Sequence, residues 1–200
     1  MTYINLEPLA DEKTVARHMD ILEGLRLDLK IAADGMPAFK NRSPLEICTA
    51  LYGVRTKRKD TLRRLYDAAS AVYAHELYME NLVSADKYPS LPDERCGSIL
   101  KHSFGSPANF FYLVRTLAAG THAPGFLWMY EKKDRGHIKL GLARLPLYTL
   151  PSLSEVRPLM CIDLWEHAYI ECFGGDISGY ADSCLRQTDW NRIFSDVKKW

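Results

Sequence analysis

Asp163-Leu164-Trp165-Glu166-His167-Ala168-Tyr169 follows an apolar run, Pro158-Leu159-Met160-Cys161-Ile162, that reads as a buried strand. A carboxylate at the strand's end and an imidazole four residues on can reach one point. The pair offers a metal one hard oxygen and one borderline nitrogen. Alone, D-x-x-x-H is a weak signal, since most such spacings bind nothing. Its meaning depends on the rest of the chain.

The sequence around this stretch mixes element types. Downstream, Trp165 to Phe173 and Tyr180 to Val197 read as terminal helices. Upstream, Phe126 to Glu131 and His137 to Leu145 read as strands. They are joined by Lys132-Lys133-Asp134-Arg135-Gly136, whose Asp-Arg-Gly suits a hairpin turn. With Leu159 to Leu164 these make three strands. Gly97 to Phe104 and Pro107 to Ala119 read as helices split at Gly105-Ser106-Pro107. Strands with segregated flanking helices define an α+β domain.

The first half reads helical. Thr14 to about Ala33 carries apolar residues at Val15, Ile21, Leu22, Leu25, Leu27 and Leu29, and Gly35-Met36-Pro37 breaks it. Ser43-Pro44-Leu45-Glu46 is an N-cap, a first-turn proline and an acidic first turn, opening a short helix to Leu51. Arg55-Thr56-Lys57-Arg58-Lys59 reads as a solvated turn rather than a binding patch. Thr61 to about Val83 is a second long helix with a stripe at Leu62, Leu65, Ala69, Val72, Tyr73 and Leu77. The two long helices fit an antiparallel hairpin. Pro89, Ser90 and Pro92 mark a linker, which places an N-terminal helical hairpin domain at 1–88 and a C-terminal α+β domain at 89–200.

A net charge of +1 over 200 residues gives no extended basic or acidic footprint, so neither nucleic acid nor a membrane surface is expected as a partner. No apolar run approaches the roughly 20 residues of a membrane span. Met1 to Lys13 has no signal-peptide pattern, and the expected location is cytoplasmic. The five cysteines, Cys48, Cys96, Cys161, Cys172 and Cys184, form no C-x-x-C and read as reduced thiols.

The aromatic frame of D-L-W-E-H-A-Y resembles the signature of the iron/manganese superoxide dismutases, and the resemblance runs through nearly the whole chain in order. Thr14-Val15-Ala16-Arg17-His18 is similar to the segment that carries the family's first histidine ligand. Ala68-Ala69-Ser70-Ala71-Val72-Tyr73-Ala74-His75-Glu76-Leu77-Tyr78-Met79 is similar to the one that carries the second. Ser103-Phe104-Gly105-Ser106, Gly125-Phe126-Leu127-Trp128 and Asp189-Trp190 resemble further framing segments. The resemblance implies the family's α+β fold, an N-terminal helical hairpin with a C-terminal domain of helices and a three-stranded antiparallel sheet. It implies one Fe or Mn ion per chain held by His18, His75, Asp163 and His167, with superoxide as substrate. It implies Trp128 and Trp165 as walls of the metal pocket. It also implies Glu166 at a twofold interface, reaching the partner's last histidine ligand in a homodimer. His122 is a weaker outer candidate.

The chain departs from the family pattern around the cage. A glutamine is expected four residues before the second histidine or after the second strand; here those places hold Ala71 and Leu145-Pro146. Neither donates a side-chain hydrogen bond. Arg26 stands at the position of a gateway tyrosine, Leu22 at that of a histidine, Ile170 at that of an interface tyrosine and Ile177 at that of a funnel arginine. Arg26 is the substitute funnel residue. The expected activity is superoxide dismutation. The alternative is a metal-binding homodimer of the same fold with a different redox activity or none.

Overall fold

A computed structural model describes residues 5–53, 60–87, 92–120, 123–134, 137–195 and 197. The basic cluster Arg55 to Lys59, most of the Pro89–Pro92 linker, His122 and the hairpin residues Arg135 and Gly136 lie outside the described residues.

Two long helices dominate the first half. The first, α1 (Glu12–Ala33), starts where the Asp11 carboxylate accepts the Thr14 N–H at 2.8 Å, an N-cap that satisfies one otherwise orphaned donor. Its buried residues Thr14, Val15, His18 and Leu22 fall on one stripe, so His18 faces inward. The short α2 (Pro44–Leu51) opens with the expected cap, completed by Glu46 reaching back to the Ser43 N–H as a capping box. The second long helix, α3 (Asp60–Glu80), packs against both. Ala69, Ala71 and Ala74 are fully covered and let neighbouring backbones come close, and His75 lies on that same buried face.

The second half begins with α4 (Glu94–Phe104) and α5 (Pro107–Ala119), the first starting three residues before Gly97 because Asp93 caps it. Three strands follow: β1 (Gly125–Asp134), β2 (His137–Pro146) and β3 (Val156–Asp163). They form one antiparallel sheet in the order β2-β1-β3. Lys132, Lys133 and Asp134 lie within β1, which extends until Asp134 pairs with His137, rather than in the connection between the strands. A Cβ on Gly125 would run into the Leu145 carbonyl, and only glycine permits β1 to begin there. This close approach sets Phe126 opposite Asp163 in the β1–β3 register.

Three helices close the chain: α6 (Glu166–Phe173), α7 (Ile177–Arg186) and α8 (Trp190–Ser195). The single terminal helix expected over Tyr180–Val197 is therefore two, with the first starting earlier. The break has a tertiary cause. Thr188 bridges to Leu82, and the Asp189 N–H donates to the Asn81 carbonyl at 2.8 Å, which pulls the backbone out of its helical path.

One hydrophobic core joins these layers, from Leu65 and Val72 through Phe126, Trp128 and Ile162 to Tyr180 and Trp190. Leu6 and Leu9, in a segment that reads as polar, are also buried in it, held by a tight turn in which the Leu9 N–H donates to the Leu6 carbonyl at 2.7 Å. No described helix is long and apolar enough to cross a membrane.

Candidate metal centre

The core contains a polar exception. His18, His75 and Asp163 are buried, and His167 is nearly so. They come from α1, α3, the end of β3 and the first turn of α6. One ligand atom from each lies within 4.8 Å of all the others. Asp163 Oδ2 is 3.1 Å from His167 Nε2, 3.6 Å from His75 Nε2 and 3.9 Å from His18 Nε2.

The local sequence explains this convergence. Asp163 is the last residue of a strand whose final five positions are all covered. Its Oδ1 accepts the Trp165 N–H at 2.8 Å, a side chain bonded to its own backbone two residues on, which turns the chain from strand to helix. That turn delivers His167 back over Oδ2. On α3, His75 Nδ1 donates to the Ala71 carbonyl at 2.8 Å, which assigns the proton to Nδ1 and leaves a bare lone pair on Nε2. The Nε2 atoms of His18 and His75 are buried, and neither has a hydrogen-bond partner among the described residues. A buried polar atom without a partner is costly. Two of them aimed at one carboxylate oxygen are what a metal ion would satisfy. Donors that share one ion through bonds of about 2 Å lie roughly 3–4 Å apart, and the three Nε2 atoms stand 3.1, 3.6 and 3.9 Å from Asp163 Oδ2.

The electrostatics match. Burial, with the neighbouring His75 and His167, lowers His18 to about 4 against the pull of Asp163, so its imidazole is neutral near pH 7. Burial alone would raise Asp163. The hydrogen bond from His167 and the charges of His75, His167 and His18 outweigh it, and its carboxyl stays below the usual value. Three imidazole nitrogens and one carboxylate are a donor set suited to Fe or Mn.

Aromatic rings surround the four. Phe126 meets His75 edge-on at 5.3 Å, and Tyr78 lies 5.2 Å from His18, its hydroxyl oxygen accepting from the Tyr180 hydroxyl at 3.0 Å. Trp165 lies 6.3 Å from His167. Trp128 sits one ring further out, with ring contacts to Phe126 and Tyr73. The indole N–H groups of both Trp128 and Trp165 are buried without a hydrogen-bond partner among the described residues. Tyr148 was not singled out in the sequence. It stacks on Trp165 at 5.0 Å and lies 6.0 Å from His75. Burial and the Asp163 charge raise its pKa. The one signal for it was an aromatic side chain within the proline-flanked loop Pro146-Leu147-Tyr148-Thr149-Leu150-Pro151.

Arg26 lies on the α1–α3 seam. Its guanidinium holds Glu76, the residue after His75, through Nε at 3.0 Å and Nη2 at 2.8 Å, and Glu23 through Nη1 at 2.9 Å. Glu166 and Ile170 are exposed on α6, on either side of His167 in sequence.

Residues 92–196, more than half of the chain, match the family described as iron/manganese superoxide dismutases, C-terminal domain. The chain belongs to the iron/manganese superoxide dismutase family. Among its relatives, the superoxide dismutase [Fe] of Tetrahymena pyriformis is 33% identical over 123 residues, 60% of this chain and 61% of the relative. That of Bacteroides fragilis (strain YCH46) is 25% identical over 129 residues, 64% of this chain and 65% of the relative. The superoxide dismutase [Fe] 1, chloroplastic, of Oryza sativa subsp. japonica is 21% identical over 208 residues, 97% of this chain and 52% of the relative. The chain thus spans less than two thirds of the length of each of these relatives.

Proposed function

We propose that this chain dismutates superoxide at a single Fe or Mn ion held by His18, His75, Asp163 and His167. The observation that carries the reading is the pair of buried, unpartnered Nε2 atoms of His18 and His75 converging with His167 on Asp163 Oδ2. Family membership supports the activity. When bound, the metal supplies one-electron chemistry in both directions, so that two superoxide ions and two protons become O2 and H2O2.

The protein's own residues set the conditions. Asp163 contributes the one negative charge of the donor set, which leaves a surplus of positive charge to attract an anion. The Asp163–Trp165 turn and the His75–Ala71 hydrogen bond fix the orientation of two ligands before any ion arrives. Phe126, Trp128 and Trp165 exclude water from the cage. Arg26, paired with both Glu76 and Glu23, offers an incoming anion a short-range attraction. The units 1–88 and 89–200 each supply two ligands, so the ion would also tie them together. Glu166 works at a twofold interface between two chains; Glu166→Ala should weaken a dimer seen by sedimentation.

The test is metal content and dismutation on one purified sample, reconstituted separately with Fe and with Mn. About one metal per chain with turnover well above that of the free ion is the expected result, and it names the metal. Full loading with turnover no better than the free ion would select the alternative, a metal-binding homodimer with another redox activity or none. Among the described residues no side chain pairs with the indoles of Trp128 and Trp165 to link them into a relay, which favours that alternative.

A further inference from the structure

Leu147 is in the left-handed backbone region, with φ 52°. This is unusual for any residue with a branched side chain, and it is sterically costly. Its side chain does not explain it, because Leu147 is 55% exposed. The backbone around it does. The Leu147 N–H donates to the Pro124 carbonyl at 3.0 Å, and the Thr149 N–H closes a turn onto the Pro146 carbonyl at 3.1 Å. What the strained turn accomplishes is visible at the next residue. It lays the Tyr148 ring nearly parallel to Trp165, with 17° between the planes, and beside the rings of His75 and Phe126.

Tyr148 is half-buried, and its hydroxyl makes no hydrogen bond to any other described residue. Of the two tyrosines with ring contacts to the cage histidines, Tyr78 has its hydroxyl bonded to Tyr180. Among the described residues, Tyr148 is therefore the tyrosine with its ring beside a cage histidine whose hydroxyl has no partner. A phenol keeps its proton at neutral pH and can donate to an anion. Backbone strain of this kind tends to persist where it holds a functional group in place.

We propose that Tyr148 is a substrate-positioning residue, whose hydroxyl donates a hydrogen bond to the anion that enters the metal pocket. The proposal rests on the metal-site reading above and adds to it the donor that Ala71, Leu145 and Pro146 do not provide. Tyr148 transfers no proton in this role; it holds the anion in register with the cage.

The experiment compares metal-loaded wild type with Tyr148→Phe, which keeps the stacked ring and removes only the hydroxyl, and with Tyr148→His, which restores a donor. The probe is azide, a small anion with the charge of superoxide, titrated by its charge-transfer absorption. A hydrogen bond to a charged partner predicts azide binding weakened by about tenfold or more in Tyr148→Phe, at equal metal content, with partial recovery in Tyr148→His. Metal-loaded Tyr148→Phe with wild-type azide affinity would overturn the role of Tyr148 and leave the metal site standing. A wild-type chain that takes up neither Fe nor Mn would overturn both.

Discussion

Asp163 uses its two oxygens for different tasks: Oδ1 accepts the Trp165 N–H at 2.8 Å, while Oδ2 faces His167 Nε2 at 3.1 Å. One carboxylate thus shapes the strand-to-helix turn and completes the cage. Asp163→Asn keeps an oxygen for the turn and removes the charge from the cage. Metal affinity should fall by more than about 100-fold, beyond the loss typical of outer supporting residues, while the circular dichroism spectrum stays that of the folded chain. Metal analysis after dialysis reads the first and spectroscopy the second. Undiminished metal content would remove Asp163 from the ligand set.

The metal-free protein should lose stability in mild acid through His18. Its folded pKa of about 4 lies below the ordinary value of 6.5, so the unfolded chain takes up the proton first. The stability due to its neutral form is fully present above pH 6.5 and is lost as pH falls toward 4. The difference amounts to about 3 kcal/mol. Urea unfolding of the stripped protein between pH 7 and 4 measures it, and His18→Leu should flatten that part of the profile. An unchanged slope would show that His18 is not the group responsible.

As the proposed funnel residue, Arg26 should bear on rate more than on stability. Its ion pairs to Glu76 and Glu23 involve partly exposed groups, and such pairs contribute no more than about 1 kcal/mol. Arg26→Leu should leave metal content unchanged and lower kcat/KM for superoxide by about twofold to tenfold at low salt, with the loss fading as salt screens the charge. A loss independent of ionic strength would point to packing instead.

The turn before Tyr148 offers a gain. Asparagine adopts the left-handed region more readily than leucine, and the exposed Leu147 side chain has little packing to lose. Leu147→Asn should raise stability by about 0.5–1 kcal/mol, read as a higher Tm at equal metal content. A lower Tm would mean that the leucine side chain is held by contacts of its own.

The parts of the fold that were legible in the sequence are those with local causes. Ser43-Pro44-Leu45-Glu46 announces α2, Ser106-Pro107 announces α5, and the apolar stripes of α1 and α3 place His18 and His75 on inward faces. The cage was legible because each of its residues sits in a framing motif on a regular element. Elsewhere the deciding contacts are distant in sequence. Leu82 and Asn81 break the last helix at Thr188 and Asp189, which no pattern within that helix reveals. Leu6 and Leu9 lie among polar neighbours and are buried only because the rest of the fold covers them. Tyr148 reaches the cage through a turn that needs a leucine in a backbone region leucine avoids, the opposite of what local preference predicts.

The arrangement of the cage also has a bearing on biosynthesis. His18 and His75 emerge early from the ribosome, whereas Asp163 and His167 come only after most of the chain has been made. A nascent chain presents two imidazoles and no carboxylate partner, a donor pair with little power to choose between metals. On the proposed ligand set, selection of the ion would be deferred until the sheet has formed and β3 has brought its terminal aspartate to α1 and α3. On the same proposed set, which metal the protein acquires would then depend on what the surrounding pool supplies in that interval, as well as on the donors themselves.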